Sequence, residues 1–292
     1  MISDKPSDKR SVLMVDHIIQ LVTEKLSSLP CIEGIVLGGS RARGTHTEDS
    51  DIDIGIYYNL ESFDLVAINQ LATELDDEHR SNLVVPPGAW GDWVNGGGWL
   101  VINGYHVDLI LRDMKRVDQI IKDTEQGNVT ANYQTGHPHG YMSAMYRGEL
   151  AISKIQYAND ENFFELKKQA EGYPKALQKG LGEFFMFEAG FSFMLAEKNI
   201  EKDDVSYVCG HCYRSISSLN QVLFAINREY CINEKKAVKM IDGFMIKPND
   251  YKERIDKVIS LISTDVDCTR KGIEILQRLV NEVELLKGAN IQ

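Results

Sequence analysis

No apolar run in this chain of 292 residues approaches the roughly 20 residues that a membrane-spanning helix needs. The segment Met1–Arg10 is polar and carries both charge signs, unlike a secretory signal. A cytoplasmic protein without a membrane partner is the expectation. Clusters of Lys and Arg are also missing, and the formal net charge is −11. Long nucleic acids are held by phosphate neutralisation and counterion release, so this balance argues against a polymerase or a DNA-binding role. It suits a small or cationic ligand, which a negative cleft concentrates. Cysteines are few, and Cys31, Cys209, Cys212, Cys231 and Cys268 make an odd set that favours reduced thiols. Cys209-Gly210-His211-Cys212 has the spacing of a redox dithiol, which opens a helix after a buried strand and gains a lowered thiol pKa there. Here Asp203-Asp204-Val205-Ser206 opens a helix that carries the cysteines onward through Leu223 and Ile226, so two ordinary helical thiols are expected. No second Cys/His pair stands at zinc-ligand spacing. Internal repeats and low-complexity segments are absent as well.

Hydrophobic residues make up 43% of the chain, enough for a core in each of two domains. Val12, Val15, Ile18, Ile19, Val22 and Leu26 recur with a helical period over residues 7–29, and Pro30 ends that helix. Ile32–Leu37 reads as a short buried strand, followed by a Gly38-Gly39-Ser40 turn and a short helix or loop through Gly44. Ser50–Tyr58 alternates strictly and reads as a strand. Phe63–His79 is predicted helical. Trp99–Leu111 reads as a hairpin about Asn103-Gly104, and Asp113–Glu125 as helix. From about Asn159 the strand signals vanish. Amphipathic helices are predicted over 161–180, 182–198, 205–230, 234–246 and 251–286, the last broken near Ser263-Thr264. The boundary is placed at residue 158, giving an α/β domain over 1–158 and an all-helical one over 159–292.

Asp51 and Asp53 stand two apart on the 50–58 strand, so they share one face, while Ile52, Ile54 and Ile56 take the other. Adjacent anions are costly unless something positive lies between them. Asp108, flanked by Val107 and Leu109, supplies a third acid on a second strand that can pair beside the first. The glycines of Gly38-Gly39-Ser40 permit close backbone approach, and Ser40 with the following N–H groups can bind phosphate oxygens. Arg41 and Arg43 are candidates to neutralise a triphosphate. A carboxylate cluster beside a phosphate cradle is what two magnesium ions need in order to stabilise the attacking and leaving oxygens of a phosphoryl displacement.

The ordered set of a Gly-Gly-Ser turn, Asp51-Ile52-Asp53 between apolar residues, and the later Asp108 resembles the signature of the DNA polymerase β-like nucleotidyltransferase superfamily. The resemblance covers about the first 115 residues. It implies a mixed sheet with helices, with Asp51 and Asp53 binding both magnesium ions and Asp108 binding the catalytic one. It also implies that Gly39 and Ser40 hold the β,γ-phosphates of ATP or another nucleoside triphosphate. The two-domain layout resembles antibiotic nucleotidyltransferases acting on aminoglycosides or lincosamides, in which a helical-bundle domain completes the acceptor cleft. Gly91–Trp99, Arg112-Asp113, His137-Pro138-His139-Gly140 and Asn233-Glu234-Lys235 resemble segments of a broad group of bacterial nucleotidyltransferase-domain proteins. Membership of that group names no acceptor; the antibiotic-type layout implies transfer of a nucleoside monophosphate, AMP in the case of ATP, to a small-molecule hydroxyl with release of pyrophosphate. The alternatives are nucleotidylation of a protein side chain and a nucleotide-binding regulatory module without turnover. Whether the chain forms a homodimer is open.

Outside the motif, Trp90 and Trp93 are candidate acceptor platforms, because indoles stack on rings and attract cations. Trp99 is expected to pack on the hairpin. His137 and His139, flanking Pro138, are candidates to touch the acceptor. Glu183, Glu188 and Glu234 are candidate general bases, with Glu188 and Glu234 preferred. The apolar setting of Glu183-Phe184-Phe185-Met186-Phe187-Glu188 is expected to raise the acids' pKa. The aromatic run Phe184–Phe193 is expected to be interdomain core.

Overall fold

The computed structural model describes residues 6–291. The first five residues of the polar Met1–Arg10 segment lie outside the described residues. In chain order the elements are α1 (Pro6–Leu26), β1 (Ile32–Leu37), α2 (Gly39–Arg43), β2 (Ile52–Tyr58), α3 (Leu65–Leu75), β3 (Gly96–Ile102), β4 (Tyr105–Asp113), α4 (Met114–Glu125), β5 (Ala131–Asn132), β6 (Tyr141–Met142), α5 (Ala144–Ile152), β7 (Lys154–Ala158), α6 (Glu161–Glu171), α7 (Lys175–Lys198), α8 (Val205–Ile226), α9 (Ala237–Ile241), α10 (Tyr251–Leu261) and α11 (Val266–Asn290). Among the described residues no helix is long and apolar enough to cross a membrane.

The chain divides into two compact units. The first comprises the described residues through Lys122, with Gln134–Gly136 and Tyr146–Gly172. The second comprises Asp123–Tyr133, His137–Met145 and the residues from Tyr173 on. The sequence reading divides the chain at 158, whereas here residues 159–172 go with the first unit. The physical reason is α6: the Phe163 ring sits on Gly34 of β1, so closely that a Cβ there would come within 2.4 Å of it. The same ring meets Tyr57 edge-on at 5.1 Å.

The first unit is built on a five-stranded mixed sheet in the order β3-β4-β2-β1-β7. Neighbours run antiparallel except β2 and β4, which are parallel. Alternation sorts the side chains. Ile35, Leu37, Ile52, Ile54, Ile56, Val107, Leu109, Leu111, Leu100 and Ile102 line one face, where Ile18, Val22 and Leu26 of α1 and Ile68 and Ala72 of α3 join them in one core. Each such side chain, taken fully out of water, contributes roughly 1.5–3 kcal/mol. Val12, the first apolar position of the predicted α1 period, stays exposed. The opposite face carries Asp53 and Asp108.

The β3–β4 hairpin turns at Asn103 and Gly104, with φ of 51° and 79°, the pair of left-handed residues that a tight primed turn demands. It is pinned from below. Asp76, wholly buried, accepts from Val101 N (2.9 Å) and from Arg80, while Asp77 accepts from Asn103 N and Gly104 N (2.8 Å each). These carboxylates also explain why α3 stops at Leu75 rather than running to His79: Asp76 leaves the helix to serve β3, and His79 adopts φ 51°.

In the second unit α7 and α8 pack along one another, α11 lies against both, and α10 packs on α11. The predicted break near residue 181 lies instead at Pro174, which caps α7 and lets it run unbroken through Lys198. The predicted 234–246 helix shrinks to α9, because Lys236 takes φ 67° and Glu234 turns aside to accept hydrogen bonds. From Ser215 to Ile226 every residue of α8 is buried. Its polar members are served inside: the Ser215 hydroxyl donates to Ala189 O (2.9 Å) and Tyr251 OH donates to Asn220 Oδ1 (2.8 Å).

Candidate functional site

On the free face of the sheet, the parallel pairing sets Asp53 directly beside Asp108. Residues opposite one another on neighbouring strands share a face, so the two carboxyls emerge together. Asp51 stands just ahead of β2 and is exposed, while Asp53 and Asp108 are half-buried. The turn after β1 closes on this pair, because Gly38 N donates to Asp53 O (2.8 Å). Gly39, at φ 57°, presses its Cα so near the acid that a Cβ would lie 1.8 Å from Asp53 Oδ2. Only glycine tolerates both conditions. Ser40 follows, half-buried, in the first turn of α2.

The charge balance is unfavourable as it stands. Burial, then the Asp108 and Asp51 anions, push the Asp53 carboxyl up to about 6; Arg41 pulls the other way and Glu149 adds to the rise. Asp108 is raised as well, by burial first and by Asp51 next, against a lowering from His106. Among the described residues no three His, Cys, Asp or Glu side chains form a ready-made metal cage. The donors nevertheless suit a hard divalent cation. They are carboxylate oxygens whose mutual repulsion a cation would relieve, set beside a backbone cradle from which phosphate oxygens could complete its shell.

Of the two arginines expected to neutralise a triphosphate, Arg41 is buried and committed. Its Nε donates to Asp51 O (3.0 Å) and its Nη2 to Ser50 O (2.5 Å), fixing the approach to β2. It thus positions Asp51 and lends charge to Asp53 through space. Arg43, half-buried, ends α2 before Gly44, which takes the left-handed C-cap.

Several residues gain partners that the sequence alone does not show. Arg112 of β4, with 5% of its side chain exposed, is clasped by Glu149 of α5, Nε to Oε2 at 2.8 Å and Nη2 to Oε1 at 3.0 Å. Its Nη1 donates to Val94 O (2.8 Å) and Leu111 O (3.1 Å), and its guanidinium lies 4.8 Å from the centre of the Tyr146 ring. Gln134 accepts from Trp93 N and Val94 N (3.1 Å each) and donates to Trp90 O (2.6 Å). Asn95 donates to Tyr58 OH (2.9 Å) and accepts from Gly88 N (2.9 Å). Together they tie down the glycine-rich stretch before β3. No local pattern marks Gln134 or Glu149, since each matters only through a partner far along the chain.

The tryptophans separate. Trp93 packs against Arg116, whose guanidinium lies 4.2 Å from its ring centre, and against Tyr146. Trp90 stacks on Trp99 at 4.5 Å and 23°. Trp99 lies on the hairpin and packs against Trp90, yet it remains 61% exposed.

In the second unit the remaining candidates gather. Glu234 accepts from His139 N (3.1 Å) and lies 3.0 Å from His137 Nδ1. Glu188 pairs with Arg214, and its Oε1 stands 3.5 Å from His139 Nε2. The expectation of a raised Glu188 is corrected, and Glu234 behaves alike. Burial pushes Glu188 and Glu234 up, but His139 and Arg214 for the first, and His137 with backbone donors for the second, hold each below the usual glutamate range. Glu183 is exposed, 3.9 Å from Lys179. The aromatic run is only half core: Phe185 and Phe193 are buried, Phe184, Phe187 and Phe191 exposed. Cys209 and Cys212 lie within α8, and burial first, with Cys209 beside it, pushes the Cys212 thiol up to about 12, which removes the redox reading.

Gly39→Ala is expected to cost about 1–2 kcal/mol in the first unit. A melting curve checks this, and an alanine variant as stable as the wild type would show that the close approach to Asp53 is not a constraint.

Residues 18–129 match the family described as Nucleotidyltransferase domain. The structure is similar to that of a nucleotidyltransferase-like protein from Exiguobacterium sibiricum, with 11% identity, a TM-score of 0.46, and coverage of 94% of this chain and 77% of that one. No curated protein matches the sequence. The matched stretch spans the β1–β4 sheet strands and the acids Asp51, Asp53 and Asp108, and the mixed sheet and helical C-terminal region agree with the fold that the motif implies.

Proposed function

We propose that this domain transfers a nucleoside monophosphate, AMP from ATP, to a hydroxyl of a small-molecule acceptor and releases pyrophosphate. The observation that carries the reading is the register of Asp53 with Asp108, under a Gly38-Gly39-Ser40 turn pressed onto Asp53. Asp51, Asp53 and Asp108 would hold two magnesium ions, whose chemistry is to neutralise the gathering charge at the attacking and leaving oxygens. The protein's own part is orientation. Gly39 and Ser40 offer backbone and hydroxyl donors to the β,γ-phosphates, and Arg41 fixes the backbone of Asp51. The acceptor oxygen bonds to the α-phosphorus as the bond to the bridging oxygen breaks. Pyrophosphate leaves with that electron pair, and the hydroxyl proton passes to solvent.

Glu188 and Glu234 serve this reaction poorly as general bases, because the partners that hydrogen-bond their oxygens lower their basicity. With His137 and His139 they form a polar cluster internal to the second unit. Trp93, engaged by Arg116, holds the glycine-rich stretch in place.

The test is incubation of the full chain with α-labelled ATP, magnesium and a panel of aminoglycosides and lincosamides, with GTP, CTP and UTP as competitors. Labelled small molecule and released pyrophosphate are expected. Label ending on protein would move the reading to side-chain nucleotidylation, and ATP binding without pyrophosphate release would make the chain a regulatory module.

A further inference from the structure

Trp99 is the register partner of Asp108 on the neighbouring strand, so its indole leaves the sheet on the face that carries the acids. It lies one strand spacing from Asp108, about 4.8 Å between backbones. Its 61% exposure is unusual for so large an apolar group. The exposed indole is also held rigidly. Trp90 stacks on one face of it, and Trp90 in turn rests over Gly97, where a Cβ would come within 2.7 Å of the Trp90 ring. Gln134 fixes the backbone that carries Trp90. A buttressed indole with open surface beside a reactive carboxylate is a stacking platform.

The sheet order says which substrate uses it. The Gly38-Gly39-Ser40 turn follows β1 on one flank of the β2–β4 pair, and β3 with Trp99 lies on the other. In an in-line displacement the attacking and leaving oxygens stand on opposite sides of the α-phosphorus. With the leaving phosphates at the glycine turn, the β3 flank falls to the nucleophile. We propose that Trp99, backed by Trp90, seats a ring of the acceptor, a sugar or aromatic ring next to the attacked hydroxyl, and thereby selects ring-bearing alcohols over open-chain and peptide hydroxyls. This rests on the nucleotidyl transfer proposed above.

The test uses the full chain with α-labelled ATP and magnesium. The acceptor probes are an aminoglycoside, a lincosamide, a nucleoside, glycerol and a seryl peptide. Label is expected on a ring-bearing probe. Trp99→Ala is expected to raise that probe's KM about tenfold while the KM for ATP stays within about twofold, and Trp99→Phe to restore most of the loss. A melting curve on each variant confirms an intact fold. An equal rise in the KM for ATP would assign the indole to the nucleobase and overturn the proposal. So would an unmoved acceptor KM, or label found only on glycerol or peptide. Splitting of ATP to AMP and pyrophosphate with every ring-bearing probe left unlabelled also overturns it. If ATP is neither bound nor split, the transferase reading itself falls.

Discussion

Asp53→Asn is expected to abolish nucleotide transfer to within about one part in a thousand, and at the same time to make the metal-free protein more stable near neutral pH. The first effect follows from deleting a carboxylate at the point where charge is neutralised, worth several kcal/mol. The second follows from the environment. Burial and the Asp108 and Asp51 anions hold the Asp53 carboxyl up at about 6, above the roughly 3.9 of an unfolded chain. A carboxyl raised in the fold contributes stability below its unfolded value and loses that contribution as pH climbs through its folded one. Above about pH 6 the wild type therefore carries the full cost of an ionised Asp53, about 2 kcal/mol after allowance for partial solvent screening. The amide carries none. In EDTA at pH 7.5 the variant should melt roughly 4–8 °C higher. The gap should close as pH falls below about 4, where wild-type Asp53 is neutral too. Magnesium should raise the wild-type melting temperature and leave the variant's nearly unchanged. A variant that melts lower at pH 7.5 would mean that the carboxylate is a structural support rather than a strained site.

Glu149→Ala is expected to destabilise the first unit by about 3–5 kcal/mol, the cost of stranding a buried cation. Arg112 is almost wholly enclosed and Glu149 is its anionic partner. Replacing both together, Arg112→Met with Glu149→Leu, should cost markedly less, because no charge is left behind. Urea unfolding of the single and double variants measures this, and equal losses would mean that shape rather than charge holds the pair. Glu149→Gln offers a subtler reading. Glu149 is one of the anions that lift Asp53, so an amide there should lower the Asp53 titration midpoint seen by carboxyl-carbon NMR.

The acid-bearing face of the sheet was legible because its parts are local. Strict alternation over 52–56 announces which side of β2 is polar, and Asn103-Gly104 announces the hairpin that delivers Asp108. What escaped was set by distance. Arg112 looks like one more charge at the end of a strand until Glu149, far along the chain, is seen to clasp it. Gln134 gives no sign in sequence that it will hold Trp90, Trp93 and Val94. The exposure of Trp99 was not legible because an indole in a strand ordinarily buries itself, whereas this one stands on the face that carries the acids. Burial of Glu188 was foreseen as a raising force, and it is one, but Arg214 and His139, neither adjacent in sequence, reverse the sign.

The parallel pairing of β2 with β4 also makes the paired acids a property of the folded sheet alone. Two parallel strands cannot be joined by a hairpin, so the chain passes through α3 and β3 between Asp53 and Asp108. Far apart along the chain, the two carboxyls stand side by side only where β2 and β4 are in register. A chain that has lost that pairing has no adjacent acids to offer a cation.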